Sequence, residues 1–551
     1  MMRVSLILAR LAETEIKGNW GNTPANTLLD IYRSWMPQTA ANIDQRIEAL
    51  SRLVEAHPNV GARLLDGLTQ IGHDVASPTA RPDWRDDDSG AGYGTKGLER
   101  HAMVVAAADM QLRIARGDPL QIAALVQKYD GFDADRRATI VELAQEICAA
   151  EDGDRETVRS AVRHKLHWHL NYDTAEDVEA NVAPLQQLYE ELAPRDPVIR
   201  DGWLFRDGWV DLPVRTRDED FSNREEEASH LRGKSVAELF TTDGWAGLLR
   251  LAIATSGGWL IGRTVLSAGI APNEAISWLA KETGSLEEID QIYSFATGLL
   301  SALVASQGFD AVQDVLSEAD AAGREISWKV RSLAMLPEQR EVWDIVETLG
   351  EAATAHYWKI CRANFLGREN AADRQFALER LLEARRPLTA FRSCHICFEG
   401  INPETVMQML EGMLRGDEEV TALPQYWCFQ KAIDHIEDSN VIDRARLLPL
   451  EFALVRTLGF EGEHHARTLF MEVMSNPAAF IELLTLVFHP KNGERRPDTD
   501  ANRSNAQNAW SVLHACKRQP GTQDDDTVTT ESMLEFVRKA RELASEADRI
   551  E

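Results

Sequence analysis

An irregular stack of helical hairpins, all-α and of the α-solenoid kind with tetratricopeptide- or HEAT-like pairs and a few long loops, is the fold the sequence predicts. Three observations carry it. Apolar residues recur at helical spacing along nearly the whole chain, and helix starts are spelled as a capping side chain followed by proline. No series of short alternating strands with hairpin turns occurs.

Ile43, Ile47, Leu50 and Val54 fall at i, i+4, i+7 and i+11; Val60, Leu64, Leu65 and Leu68 follow after His57-Pro58. Each set is one face of an amphipathic helix. Pro58 keeps them apart, because its ring clashes inside a helix and it has no amide to donate. Val158, Val162, Leu166 and Leu170, then Val178, Val182, Leu185, Tyr189 and Leu192, repeat the construction. Val342, Val346 and Leu349 mark a further helix, as do Val406, Leu410, Met413 and Leu414. Asp118-Pro119, Asn402-Pro403 and Asn476-Pro477 each place an acceptor at the N-cap and a proline at the first helical position, where no amide is missed. The nearest approaches to strands, Leu212 to Thr216 and Thr527 to Thr530, are short and polar-flanked.

Helix pairs take roughly 30 to 45 residues, the span of stacked helical repeats. No repeat consensus is kept, so an irregular array is expected, with a compact multi-lobed helical fold as the alternative architecture. A chain of 551 residues exceeds one hydrophobic core. Three segments interrupt the helices: Ile71 to Gly97, Ile199 to Ser229 and His489 to Asn505. They set four expected parts. Residues 1–97 hold N-terminal hairpins and a Pro/Gly/Asp-rich loop, and 98–230 a repeat segment ending in a Trp-rich charged loop. Residues 231–488 form a central array, and 489–551 a polar loop with the last helices.

Composition excludes several functions. The formal charge of −29 repels phosphate backbones and anionic membrane, so neither nucleic acid nor a lipid surface is the expected partner. Apolar runs such as Ala102 to Ala108 are too short to span a bilayer, and Met1 to Arg10 lacks a cleavage-site pattern. The six cysteines, Cys148, Cys361, Cys394, Cys397, Cys428 and Cys516, are scattered, which suits a reducing compartment; the chain reads as cytoplasmic.

The search for chemistry returns no catalytic constellation, no cofactor motif and no complete set of metal ligands. Gly92-Tyr93-Gly94-Thr95-Lys96-Gly97 fits GxGxxG, but the acidic run Asp86-Asp87-Asp88 stands where a buried strand would have to be. Cys394-His395-Ile396-Cys397 is half a zinc site without a second half; on the stripe Leu388, Phe391, Cys394, Phe398 its cysteine reads as a small core residue. His164 and His167 share a helical face but have no fixed carboxylate partner. Glu461, Glu463, His464 and His465 read as polar residues of a first helical turn, and Asp524-Asp525-Asp526 as a solvated turn.

Tryptophan and arginine are more informative. Fourteen Trp against eight Tyr is a high ratio, and Trp20, Trp35, Trp84, Trp203 and Trp209 adjoin loops. Such rings either plug gaps between stacked helices or anchor a protein interface. Arg155, Arg159 and Arg163 fall at i, i+4 and i+8. They read as a solvated helix face, or as a basic stripe that grips an acidic partner.

Several strings occur together: Gly18-Asn19-Trp20-Gly21-Asn22 with Pro24-Ala25-Asn26, Trp35-Met36-Pro37-Gln38-Thr39, His57 through Leu65, His73-Asp74-Val75-Ala76-Ser77-Pro78-Thr79 with Arg81-Pro82-Asp83-Trp84-Arg85, and Asn476-Pro477 through Val487-Phe488-His489-Pro490. In them the chain resembles the helical C-terminal repeat region of large, poorly characterised bacterial multidomain proteins, of the kind associated with antiviral defence or conflict systems. That resemblance covers most of the chain. It implies a recognition or scaffolding module, transfers no catalytic residue, and implies a truncated or split member, since the relatives' helices run beyond the equivalent of Glu551.

The expected function is therefore a non-enzymatic helical-repeat scaffold or sensor that binds a protein partner through Trp84, Trp203, Trp209, Arg155, Arg159 and Arg163. Two other classes stand beside it: a metal-dependent hydrolase with a site assembled from distant residues, and a nucleic-acid sensor using the arginine row.

Overall fold

The computed structural model describes residues 1–14, 16–18, 20–70, 74–76, 95–173, 178–216, 221–281, 290–363, 370–419, 422–459, 462–488, 496–523 and 527–546. Among the described residues there are 29 α-helices and no strand, so the all-α expectation holds. The chain forms two compact units, Met1–Pro272 with Ile289–Ala302, and Asn273–Glu288 with Leu303–Glu551.

The first unit opens with α1 (Met2–Ala12), α2 (Pro24–Tyr32), α3 (Ile43–Ala56), α4 (Pro58–Leu68) and α5 (Gly97–Ala115). Asn42 and Gln45 close a reciprocal capping box at the start of α3, and Pro58 opens α4, as its lack of an amide allows. Leu50, Val54, Leu64 and Leu65 pack with Leu28 and Tyr32 into one core. A second core follows from α6 (Pro119–Gln127), α7 (Ala134–Glu146), α8 (Asp152–Tyr172) and α9 (Val178–Glu191). Asp118 caps α6 through the Leu120 and Gln121 amides. The stripes Val158, Val162, Leu166 and Val178, Val182, Leu185, Leu192 face each other in this core, where α8 packs on α6 and α9 and α7 packs on the same two helices. That is the contact pattern of stacked hairpins.

Next come α10 (Pro197–Asp201), α11 (Trp203–Arg206), α12 (Phe221–Thr255) and α13 (Gly258–Thr264). The segment 199–229 is therefore not one long loop. Asp196 caps α10 with Pro197 at its first position, and Leu204 and Phe205 are buried. Because α12 runs through residue 230, no boundary falls there, in contrast to the sequence reading; a bend comes instead at Gly244, where φ is 59°. Gly262 of α13 meets α15 (Asp290–Gln307) backbone to backbone, after α14 (Pro272–Lys281). A Cβ at Gly262 would lie 2.1 Å from the Phe295 carbonyl oxygen, so nothing larger fits.

The second unit continues with α16 (Asp310–Ala321), α17 (Ile326–Leu333), α18 (Arg340–Thr348), α19 (Glu351–Ile360), α20 (Ala371–Glu383), α21 (Pro387–Cys394), α22 (Pro403–Arg415) and α23 (Tyr426–Ser439). It ends in α24 (Arg444–Leu454), α25 (Gly462–His465), α26 (Arg467–Ser475), α27 (Pro477–Val487), α28 (Asp500–Ala515) and α29 (Thr530–Glu546). Asn402 and Asn476 cap α22 and α27 as their Asn-Pro pairs require. Trp343, Tyr357, Trp358 and Phe376 form an aromatic cluster between α18, α19 and α20, which is the gap-plugging use of tryptophan. Leu414 departs from its expected stripe and is exposed at the end of α22.

Among the described residues no single helix is long and apolar enough to cross a membrane. The pair α26 and α27 reaches that length only across a 103° bend.

Candidate interaction site

Helix α8 collects most of the residues that the sequence singles out, and it uses its two sides differently. The inner side carries Arg155, Arg159 and Arg163, each less than a tenth exposed. This overturns both expectations for the row, since a buried arginine neither meets solvent nor reaches a partner. The reason lies in their acceptors. Arg155 donates to the Glu191 and Ala193 carbonyls at the end of α9, and Arg159 donates to Tyr189 O (3.1 Å) and to Arg200 O at the end of α10 (3.0 Å). Carbonyls in a last helical turn lack intrahelical donors, and their partial negative charge favours a cation. Arg155 and Arg159 are thus an internal cap for the next two helices.

Carboxylates and rings complete this brace. Asp152 accepts from the Arg195 and Asp196 amides (3.0 and 2.8 Å) and from Arg155. Glu156 accepts from Arg163 (3.1 Å) and lies 3.7 Å from Arg159. The Arg159 guanidinium sits 4.0 Å from the Tyr189 ring centroid, and that of Arg163 sits 4.3 Å from the Trp203 centroid. Trp203 is accordingly half-buried and held from inside. Such cation–π contacts strengthen when desolvated.

The outer side of α8 is different. His164 Nδ1 pairs with Asp211 (2.8 Å), His167 Nδ1 with Leu212 O (3.0 Å), and the Asn171 side chain donates to Val214 O (3.2 Å). Residues 211–214 therefore run alongside α8 in the same direction. Around this strip Trp168, Tyr172 and Trp209 are 44%, 58% and 56% exposed. Lys165 lies over the Trp168 ring, and Arg224 over Trp209 with its guanidinium carbon 3.3 Å from the centroid. Below the strip, His169 is buried between Asp130 and Asp173, at 2.8 Å from each. The Asp130 bond, against burial, raises the His169 pKa; for Asp130 itself, burial is outweighed by His169 and Lys165, which hold it at about 2. The ordered base presents three aromatic side chains outward.

The other expectations fare unevenly. His164 and His167 bind Asp211 and a backbone carbonyl, and among the described residues no group of three or more His, Cys, Asp or Glu is gathered as a metal centre needs. Cys394 is buried, and that burial pushes its thiol up to about 12, the state of a packed residue and not of a thiolate ligand. Glu463 is buried rather than solvated, accepting from the Lys517 and Arg518 amides. Trp35 donates to Asp74 (2.7 Å), while Trp20 is exposed. Trp84, Asp86–Asp88, Gly92–Gly94, Glu461 and Asp524–Asp526 lie outside the described residues.

Trp168 and Tyr172 are absent from the sequence-derived site, although a signal existed. They stand one turn apart, off the stripe Val158, Val162, Leu166, so a helix that buries this stripe must show them on another face.

No protein-family model matches the chain, and no curated protein matches its sequence. Among solved structures it is similar to a circular tandem repeat protein with novel repeat topology and enhanced subunit contact surfaces. That match has 11% identity over 98% of this chain and 99% of the other, with a TM-score of 0.18. A likeness of that size supports no structural or functional transfer.

Proposed function

We propose that this helical-repeat chain is a scaffold or sensor that binds a protein partner, and that the partner docks on the face formed by Trp168, Tyr172 and Trp209. The observation that supports it is the exposure of three large aromatics on a base whose every layer is hydrogen-bonded. Rings of this kind supply large contact area at small entropic cost, and with Lys165 and Arg224 beside them they have the composition of interface anchors. Trp203 and the arginine row serve this face from behind. A role in a bacterial defence system is the setting that the sequence resemblance favours.

The nucleic-acid reading loses its residues with the burial of the arginine row. For the hydrolase reading, the described residues supply no clustered ligands.

The test is a variant carrying Trp168→Ala, Tyr172→Ala and Trp209→Ala, compared with the wild type in quantitative affinity purification. The expected result is loss of a defined set of partners with an unchanged circular dichroism spectrum and melting curve. Recovery of the same partners by the variant would refute the assignment.

A further inference from the structure

His169, in the last turn of α8, is 3% exposed and has a carboxylate at each ring nitrogen. Asp130 Oδ1 lies 2.8 Å from Nε2, and Asp173 Oδ2 lies 2.8 Å from Nδ1. A neutral imidazole carries one N–H, so two ionised acceptors at this distance require the imidazolium, which donates from both nitrogens. Among the described residues the other charged group here is Lys165, one turn earlier on α8, which binds the second oxygen of Asp130. The described parts of α6 and α9, also packed on α8, add no ion pair to the ring.

The two carboxylates do not depend on that proton equally. Asp130 keeps Lys165 when the ring becomes neutral. Asp173 is the C-cap of α8, where the partial negative charge of the helix end repels a carboxylate, and the imidazolium offsets this repulsion. Loss of the Nδ1 proton sets a ring lone pair against the Asp173 oxygen, so attraction turns into repulsion. The same turn carries Tyr172 and Asn171. The Asn171 side chain donates to Val214 O and accepts from the amide and hydroxyl of Thr216. One helical turn therefore anchors both an aromatic of the exposed face and the strip 211–216 beside it.

We propose that His169 is a proton switch for the aromatic face: the imidazolium holds the last turn of α8 closed, and a neutral ring lets residues 169–173 open and release Tyr172 and the strip. The Asp130 bond, opposed by burial and reinforced by Asp173, raises the folded-state pKa above the ordinary 6.5. Closure is therefore complete below about pH 6.5 and is lost as pH rises through the raised value, with opening growing by up to about tenfold per pH unit between the two. The effect on a partner rests on the docking reading above; the opening itself does not.

The experiment is amide hydrogen exchange of the full chain without partner, from about pH 6 to about pH 9, corrected for intrinsic rates. Protection at 169–173 and 211–216 should fall several-fold across this range, while protection around Val158 and Val162 stays unchanged. In Asp173→Asn the cap group is neutral and pairs with either form of the ring, so protection should persist throughout. His169→Gln should show low protection of the turn at every pH. The proposal is overturned by a wild type whose protection is constant, or by a step of wild-type size in either variant. Partner capture at the two ends of the range reports the docking reading separately: equal capture beside a clear exchange step refutes that reading and leaves the switch.

Discussion

The guanidinium of Arg163 rests 4.3 Å from the centroid of the Trp203 ring, and this contact ties the inner side of α8 to the Trp-rich string after α10. Two tryptophans six residues apart consequently have different work: Trp203 is half-buried in the brace, and Trp209 is exposed beyond it. Trp203→Ala should lower stability by about 2 kcal/mol, through lost packing and the lost cation–π contact. Trp209→Ala should cost under about 1 kcal/mol. Urea midpoints of the two variants compare them directly; equal losses would place both rings in the same environment.

Arg159 holds two helix ends at once, through the Tyr189 and Arg200 carbonyls. Replacing it by Met leaves both acceptors and part of the Glu156 charge unmatched, at a cost of about 3 kcal/mol. Arg159→Lys should recover only a minor part of that loss, because an ammonium does not reproduce the planar fork that reaches both carbonyls. Full recovery in a thermal melt of the lysine variant would show that charge alone matters.

In the second unit Glu451 is fully enclosed. Its Oε2 accepts from the Leu469 amide (2.6 Å), and burial, reinforced by the nearby Glu437 carboxylate, raises its pKa far above the carboxylate range. Glu437 itself is bound by Arg467 and by the amide and hydroxyl of Thr468. A raised folded-state pKa means that the folded chain holds a proton the unfolded chain has lost. The resulting contribution to stability is complete below about pH 4.3, the ordinary glutamate value, and declines as pH climbs toward the raised value. Glu451→Gln keeps the amide acceptor without the ionisation, so its melting temperature relative to wild type should rise between pH 5 and pH 8. A difference that stays constant over this range would mean that Glu451 is already ionised at pH 5.

Two glycines should respond oppositely to a side chain. Gly262 faces the α15 backbone, and Gly262→Val should destabilise by roughly 3 kcal/mol as the helices are forced apart. Gly153, in the first turn of α8, has open space around its Cβ position, so Gly153→Ala should stabilise by about 0.5 kcal/mol. Melting temperatures that shift the same way for both would contradict this account of the helix crossing.

The helices and their caps were legible because both are local. Val158, Val162 and Leu166 repeat at helical spacing, and Asp118-Pro119 is a cap wherever it occurs. The arginine row was not legible in the same way. Three arginines at i, i+4 and i+8 look alike whether solvated or buried, and the acceptors of Arg155 and Arg159 include backbone carbonyls 30 to 41 residues further on, which no side chain announces. Asp196-Pro197 did announce α10, and its cap shows why 199–229 is not a continuous loop. Glu451 had a signal too, a lone carboxylate in the apolar run from Leu447 to Leu454. The divide between the units falls at 272–303, away from the segments richest in Pro and charge, because packing and not local composition sets it.

The most direct test of the central claim is amide hydrogen exchange of the full chain, alone and saturated with the recovered partner. New protection should appear at residues 164–173 and 207–216, where the aromatic face lies, while the buried amides around Arg155 and Arg159 stay equally protected in both states. Protection confined to the second unit, with none at Trp168, Tyr172 or Trp209, would contradict it.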